Sequence, residues 1–85
     1  MATPQPRVTV MTRQSCPPCH TMQAEVQRIC AELGERWTAV DVDTDAGLRT
    51  AYGDRVPVLL VDGVELASWT LDEPRLRAAI AGDDR

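Results

Sequence analysis

The sequence predicts a single α/β domain, a four-stranded mixed sheet flanked by three helices in the order βαβαββα. Three observations predict it. An apolar stretch, Val8–Thr12, runs into a Cys16-Pro17-Pro18-Cys19 corner and then into about fifteen residues of helical periodicity. A second alternating stretch follows that helix after a loop so short that the connection must be a right-handed parallel crossover. Asp62-Gly63, set between two apolar runs, is a two-residue hairpin signal that returns the last strand antiparallel.

Taken in order, Met1–Pro6 is a polar, proline-containing leader expected to be frayed. Val8–Thr12 is rich in β-branched residues, as a central strand buried on both faces would be. A helix is expected from Cys19 to Gly34, with Pro17 and Pro18 accommodated in the first turn, where their missing N–H groups cost nothing. Its inward stripe would be Met22, Val26, Ile29, Cys30 and Leu33, and Gly34 is its stop. Arg36–Asp43 alternates like a second strand, and Thr44–Tyr52 reads as a short helix anchored by Leu48 and Tyr52 and broken at Gly53. Val56–Val61 is a strand with Pro57 near its start, and Val64–Ser68 pairs back across the Asp62-Gly63 turn. Asp72 is an N-cap and Pro74 opens a final helix with Leu76, Ala79 and Ile80 inward, ending at Gly82. The tail Asp83-Asp84-Arg85 is expected in solvent, and no internal repeat or linker interrupts the chain.

Composition narrows the function. The chain has 85 residues, 44% of them hydrophobic, which suits one small core. No apolar run of about eighteen residues and no charged-then-apolar leader is visible, so neither a membrane span nor a signal peptide is expected. Three cysteines are an odd set for a secreted disulfide framework, and a cytoplasmic protein is expected instead. The net charge is −4, and all 9 basic residues are arginine. An acidic chain with few aromatics and no basic stripe gives no support to nucleic-acid binding. Asp41, Asp43, Asp45 and Asp54 lack the alternation and terminal glutamate of a calcium loop and read as strand-end and helix-cap residues.

The chemistry sits at the Cys-Pro-Pro-Cys corner. A thiol at a helix N-terminus meets the positive end of the helix dipole, so Cys16 is expected to ionise more readily than a free thiol of pKa about 8.5. The thiolate is the nucleophile of disulfide exchange, and Cys19, one turn further on, is placed to attack a mixed disulfide on Cys16 and release the product. Pro17 and Pro18 withhold two donors, which leaves Cys19 N–H, Cys19 S–H and the dipole to stabilise the Cys16 thiolate. Half of a zinc site would have the same spacing, but zinc needs four ligands and no second Cys/His pair exists. His20 either tunes the dithiol or lies in solvent. Cys30 lies eleven residues beyond Cys19, about 16 Å along a helix, whereas bridged Cα atoms lie within about 7 Å, so it reads as a small buried hydrophobe. Arg13 and Arg55 are either ordinary solvated charges or rim residues that lower the Cys16 pKa and attract carboxylates of a small thiol or an acidic partner. Trp37 reads as packing.

In the segments Arg13–Cys19, Val40–Asp43, Tyr52-Gly53 and Val56–Gly63, over roughly residues 7 to 81, the chain resembles a glutaredoxin, most of all the small glutaredoxin-like proteins of bacteria, with the thioredoxin fold in minimal form. The resemblance implies that Pro57 is cis and faces the dithiol, shaping a groove where the Val56 backbone pairs with an extended substrate, and keeping metal out. Arg13, Pro17, Arg55, Val56, Pro57 and Trp69 would then serve the substrate, Trp69 standing on the side where a glutaredoxin holds its thiol ligand. Glutathione-using members carry a basic residue three before the first cysteine, Thr-Val-Pro, and Gly-Gly followed by Asp. Here Arg13, Arg55 before Val56-Pro57, and Ala67-Ser68 with Leu71 stand in those places. Redoxins recharged by thioredoxin reductase end in a Trp-Ser-Gly-Phe-type segment, against Ser68-Trp69-Thr70-Leu71 here. The implied activity is thiol–disulfide oxidoreduction of protein or small-molecule disulfides, with Cys16 attacking and Cys19 resolving. The protein is expected to be a monomer with no bound metal or organic cofactor. Its Cys16–Cys19 disulfide would be reduced by glutathione, another small thiol or a flavoprotein reductase. A non-catalytic redox-sensing or docking module of the same fold is the alternative. A dimer bridging an iron–sulfur cluster through Cys16 is a third reading, against which a proline-rich corner favours closing on itself.

Overall fold

β1 (Val8–Thr12) is the strand around which the rest assembles in a computed structural model that describes residues 6–82. The frayed leader, apart from Pro6, and the solvated tail expected from the sequence lie outside the described residues. After β1 come α1 (Pro17–Leu33), β2 (Trp37–Asp41), a 3₁₀ turn (Val42–Thr44) and α2 (Ala46–Tyr52). The hairpin β3 (Val58–Val61) and β4 (Val64–Ser68) follows, and α3 (Glu73–Ala81) completes the fold. The sheet order is β2-β1-β3-β4, with β1 parallel to β2 and antiparallel to β3, and β3 antiparallel to β4. The predicted mixed four-stranded sheet with three helices is thus the observed one.

Both faces of β1 are covered, as its β-branched sequence predicts. Val8 and Val10 are buried with Met22, Val26, Ile29 and Cys30 of α1 and Leu76 of α3. Met11 faces the other way into a smaller cluster with Val42, Val58 and Leu60, against which Leu48 and Tyr52 of α2 pack. The hairpin turns as Asp-Gly predicts, with positive φ at Asp62 (54°) and Gly63 (80°), the geometry that matches the twist of paired strands. β4 carries a bulge. Ala67 pairs with Leu59 and Glu65 with Leu60, so Leu66 is the extra residue, and it is buried.

Three expectations are corrected. Leu33 does not complete the buried stripe; it is 43% exposed. A helix of 17 residues is about 25 Å long and a five-residue strand about 17 Å, so the last turn of α1 overhangs the sheet. The second strand stops at Asp41 rather than running to Asp43, because the Asp41 carboxylate accepts the Asp43 N–H at 2.9 Å and turns the chain. Gly53 does close α2, but not through a left-handed residue: its φ is −54°. A Cβ there would stand 2.5 Å from the Arg49 carbonyl oxygen, so close approach of backbone explains the glycine.

Candidate active site

Cys16 is the N-cap of α1, with extended backbone (φ −123°, ψ 96°), and its Sγ accepts the Cys19 N–H at 3.2 Å. Pro17 and Pro18 occupy the first two helical positions, so Cys19 contributes the first N–H that can reach the sulfur. Cys16 and Cys19 are joined by a disulfide with Cα atoms 5.2 Å apart. Cys16 is half-buried, while Cys19 is fully buried against the core. Cys16 is therefore the more exposed residue of the pair. His20 is exposed just beyond the dithiol. Cys30 is a free thiol buried in the main core, and desolvation, with Glu35 nearby, pushes its pKa up; it has the character of a hydrophobe.

The Val56–Pro57 bond is cis, and Pro57 is buried at the entry to β3. The Pro57 carbonyl accepts the Trp69 N–H at 2.9 Å, while the Ser68 hydroxyl donates to the Arg55 carbonyl at 2.7 Å. These two bonds tie the end of β4 to the segment on either side of Val56, which is itself partly buried. Trp69 follows with φ 75° and its indole 59% exposed. Together with Thr70 and Leu71 it forms one wall of a groove of about 320 Å³. Pro18, Thr21, Met22 and Glu25 of α1 form the other. Pro18 rather than Pro17 lines that groove; Pro17 is exposed at the helix start.

Arg13 and Arg55 are both ion-paired. Arg13 Nε and Nη2 donate to the Asp43 carboxylate at 3.0 Å each, and Nη1 reaches the Gly53 carbonyl at 3.4 Å. Arg55 donates to Glu65 at 2.5 Å and to the Ala51 carbonyl at 3.0 Å, with its guanidinium 5.5 Å from the centre of the Tyr52 ring. Hydrogen bonding to these carboxylates raises the pKa of both guanidiniums. Trp37 packs against the main core. Asp41 and Asp45 cap the 3₁₀ turn and α2, and no group of three His, Cys, Asp or Glu side chains suited to a metal exists among the described residues. Among those residues, no helix is long and apolar enough to cross a membrane.

Sequence reasoning missed Glu25 and the Thr70-Leu71 side of the groove. Glu25 carried a signal in its spacing, since it lies at i+7 from Pro18 on the face shared with Thr21 and Met22.

Residues 7–81 match the family described as Glutaredoxin-like domain (DUF836). An uncharacterized protein of Mycobacterium tuberculosis is 42% identical over 82 residues, which cover 91% of this chain and 84% of that protein. The X-ray structure of a structural-genomics target protein from X. campestris superposes with a TM-score of 0.71 at 37% identity, covering 88% of this chain and 96% of that one. A mutant thioredoxin from Halobacterium salinarum superposes with a TM-score of 0.60 at 26% identity, covering 92% of this chain and 74% of that one. The fold is the thioredoxin fold.

Proposed function

The chain belongs to the glutaredoxin-like domain family, and from that premise we propose that it is a dithiol thiol–disulfide oxidoreductase that reduces protein or small-molecule disulfides. The observation that carries this reading is the asymmetry of the two cysteines: Cys16 caps α1, is half-buried and receives the Cys19 N–H, while Cys19 is buried behind it. In the reduced protein that N–H and the helix dipole favour the Cys16 thiolate. The thiolate attacks one sulfur of the substrate disulfide; the Cys16–substrate bond forms, the substrate S–S bond breaks, and the departing thiolate takes a proton. Cys19 then loses its proton and attacks Cys16 Sγ, expelling the second substrate thiol. Two electrons and two protons pass to the substrate, and the Cys16–Cys19 disulfide remains. A small thiol or a flavoprotein reductase returns the dithiol. Pro57 faces the dithiol and Val56 offers its backbone to an extended substrate. The reading carries with it a cytoplasmic monomer with no resident metal or organic cofactor.

The test is NADPH oxidation coupled to a small mixed disulfide, run with glutathione and its reductase and, in parallel, with thioredoxin reductase. Turnover that vanishes in Cys16→Ser supports the reading, and the system that sustains it identifies the donor. Failure of both systems and of added small thiols to exceed the Cys16→Ser blank would sink it in favour of a docking module.

A further inference from the structure

The groove that starts at Pro18 of the Cys-Pro-Pro-Cys corner is acidic in character, with no arginine in its lining. Its one charged lining residue is Glu25, which is partly buried. Among the described residues Glu25 makes no ion pair. Arg13 and Arg55, the cations that would attract an anionic thiol, already hold Asp43 and Glu65. An incoming carboxylate must compete with a bidentate partner at Arg13, whereas an incoming cation meets an unpaired carboxylate.

Trp69 supplies a second, independent observation. A bulky residue at φ 75° is a backbone outlier, held there by the Trp69 N–H bond to the Pro57 carbonyl and the Ser68 bond to the Arg55 carbonyl. Strain that keeps a large aromatic out of the core and on the wall of a groove points to recognition rather than packing. An indole face beside a free carboxylate is a shelf for a Lys or Arg side chain, which can lie along the ring with its cationic head at the acid.

We propose that Glu25 and Trp69 set the specificity of this site, selecting polypeptide disulfides that carry a basic side chain near the reactive cysteine and disfavouring anionic thiols. This rests on the oxidoreductase reading above. The spacing gives the register for a peptide laid along α1: Glu25 is nine residues beyond Cys16, about 13 Å along the helix, and an extended peptide advances about 3.3 Å per residue. The basic residue therefore falls about four positions from the substrate cysteine.

The experiment uses the whole chain, reduced beforehand and freed of reductant. Three synthetic peptides, each dimerised through a single cysteine, carry Lys, Ala or Glu four residues from that cysteine. Oxidation of the dithiol is followed by acid quench and mass spectrometry. The Lys peptide is expected to react faster than the Ala peptide, and Ala faster than Glu, by about two- to fivefold at each step in low salt, the size of an exposed charge pair. The differences shrink as salt is added. Glu25→Gln brings the three rates together, Glu25→Lys inverts their order, and Trp69→Ala slows the Lys peptide most. Equal rates in the unmodified protein, or an order that survives in Glu25→Lys, would overturn the inference while leaving the oxidoreductase reading standing. Oxidation by none of the three peptides would overturn both.

Discussion

The two ends of β1 are finished in opposite ways. At its start, Arg7 donates from Nε and Nη2 to the Asp62 carboxylate at 2.9 Å each and from Nη1 to the Ile80 carbonyl at 3.0 Å, with Glu35 at 3.4 Å. One side chain thus joins the β3–β4 turn, the end of α3 and the exit from α1, and it satisfies a helix carbonyl that has no intrahelical donor. At the other end of β1 Arg13 and Arg55 are also paired, with Asp43 and Glu65, while Glu25 lines the groove without an ion pair among the described residues and Trp69 beside it is 59% exposed. The difference teaches where this small fold puts its order. At one end a single arginine ties three elements together; at the other the arginine pairs leave an unpaired carboxylate and an exposed aromatic at positive φ on the groove.

The largest effect expected is a separation of the two ends by mutation. Cys16→Ser should abolish turnover in the coupled assay while leaving the urea midpoint of the reduced protein close to that of the parent. Arg7→Ala should do the reverse, lowering Tm by a few degrees with little change in the rate at which a peptide disulfide oxidises the reduced protein. Loss of reactivity in Arg7→Ala beyond its loss of folded protein would break the comparison.

Gly53→Ala comes next, because it lies under the open end. The new Cβ would meet the Arg49 carbonyl at 2.5 Å, so backbone must move, at about 1–3 kcal/mol in urea unfolding. Gly82→Ala is the control: φ is 82° but nothing lies within 4 Å of a Cβ, so only the left-handed conformation is strained, at about 1 kcal/mol. Equal losses would show that crowding at Gly53 is relieved cheaply.

How much of this was legible in the sequence follows from the range of the interactions. Element order, the hairpin at Asp62-Gly63, the N-cap at Asp72 and the Cys16 corner are local signals, written within a few residues, and the structure has each of them. Leu33 obeyed the helical period and still emerged in solvent, because periodicity assigns a face and not the length of the sheet beneath it. The pairing of Arg13 with Asp43 spans thirty residues and that of Arg55 with Glu65 ten, and nothing local marks which carboxylate a cation will find. The sequence leaves the two arginines as solvated charges or rim residues and does not show which carboxylates they hold. Nor does any local rule place Trp69 at positive φ, since the bond that holds it comes from Pro57, in another strand segment.

Trp69→Gly sharpens the point at lower cost. Glycine adopts φ 75° freely but adds flexibility to the unfolded chain, two effects each of about 1 kcal/mol that oppose one another. Stability should therefore change little, while reaction with the Lys peptide slows. A large stability loss without slowing would make Trp69 a packing residue.

The smallest effect tests the closed end by pH. Hydrogen bonding from Arg7, helped by its charge, holds the Asp62 carboxyl below its ordinary value of 3.8. Between the folded pKa and 3.8 the unfolded chain binds more protons than the folded one, so stability rises with pH there. The contribution is fully present above 3.8 and is lost as pH falls through the folded value. Asp62→Asn removes it, so the urea midpoints of parent and variant should differ at neutral pH and approach one another as the medium is acidified. Glu73, also held low by Arg28 and then Arg77, is common to both proteins and drops out of the difference. A gap that persists undiminished in acid would mean that Asp62 serves the turn through its shape alone, and that the closed end of β1 is held by something other than the Arg7 charge.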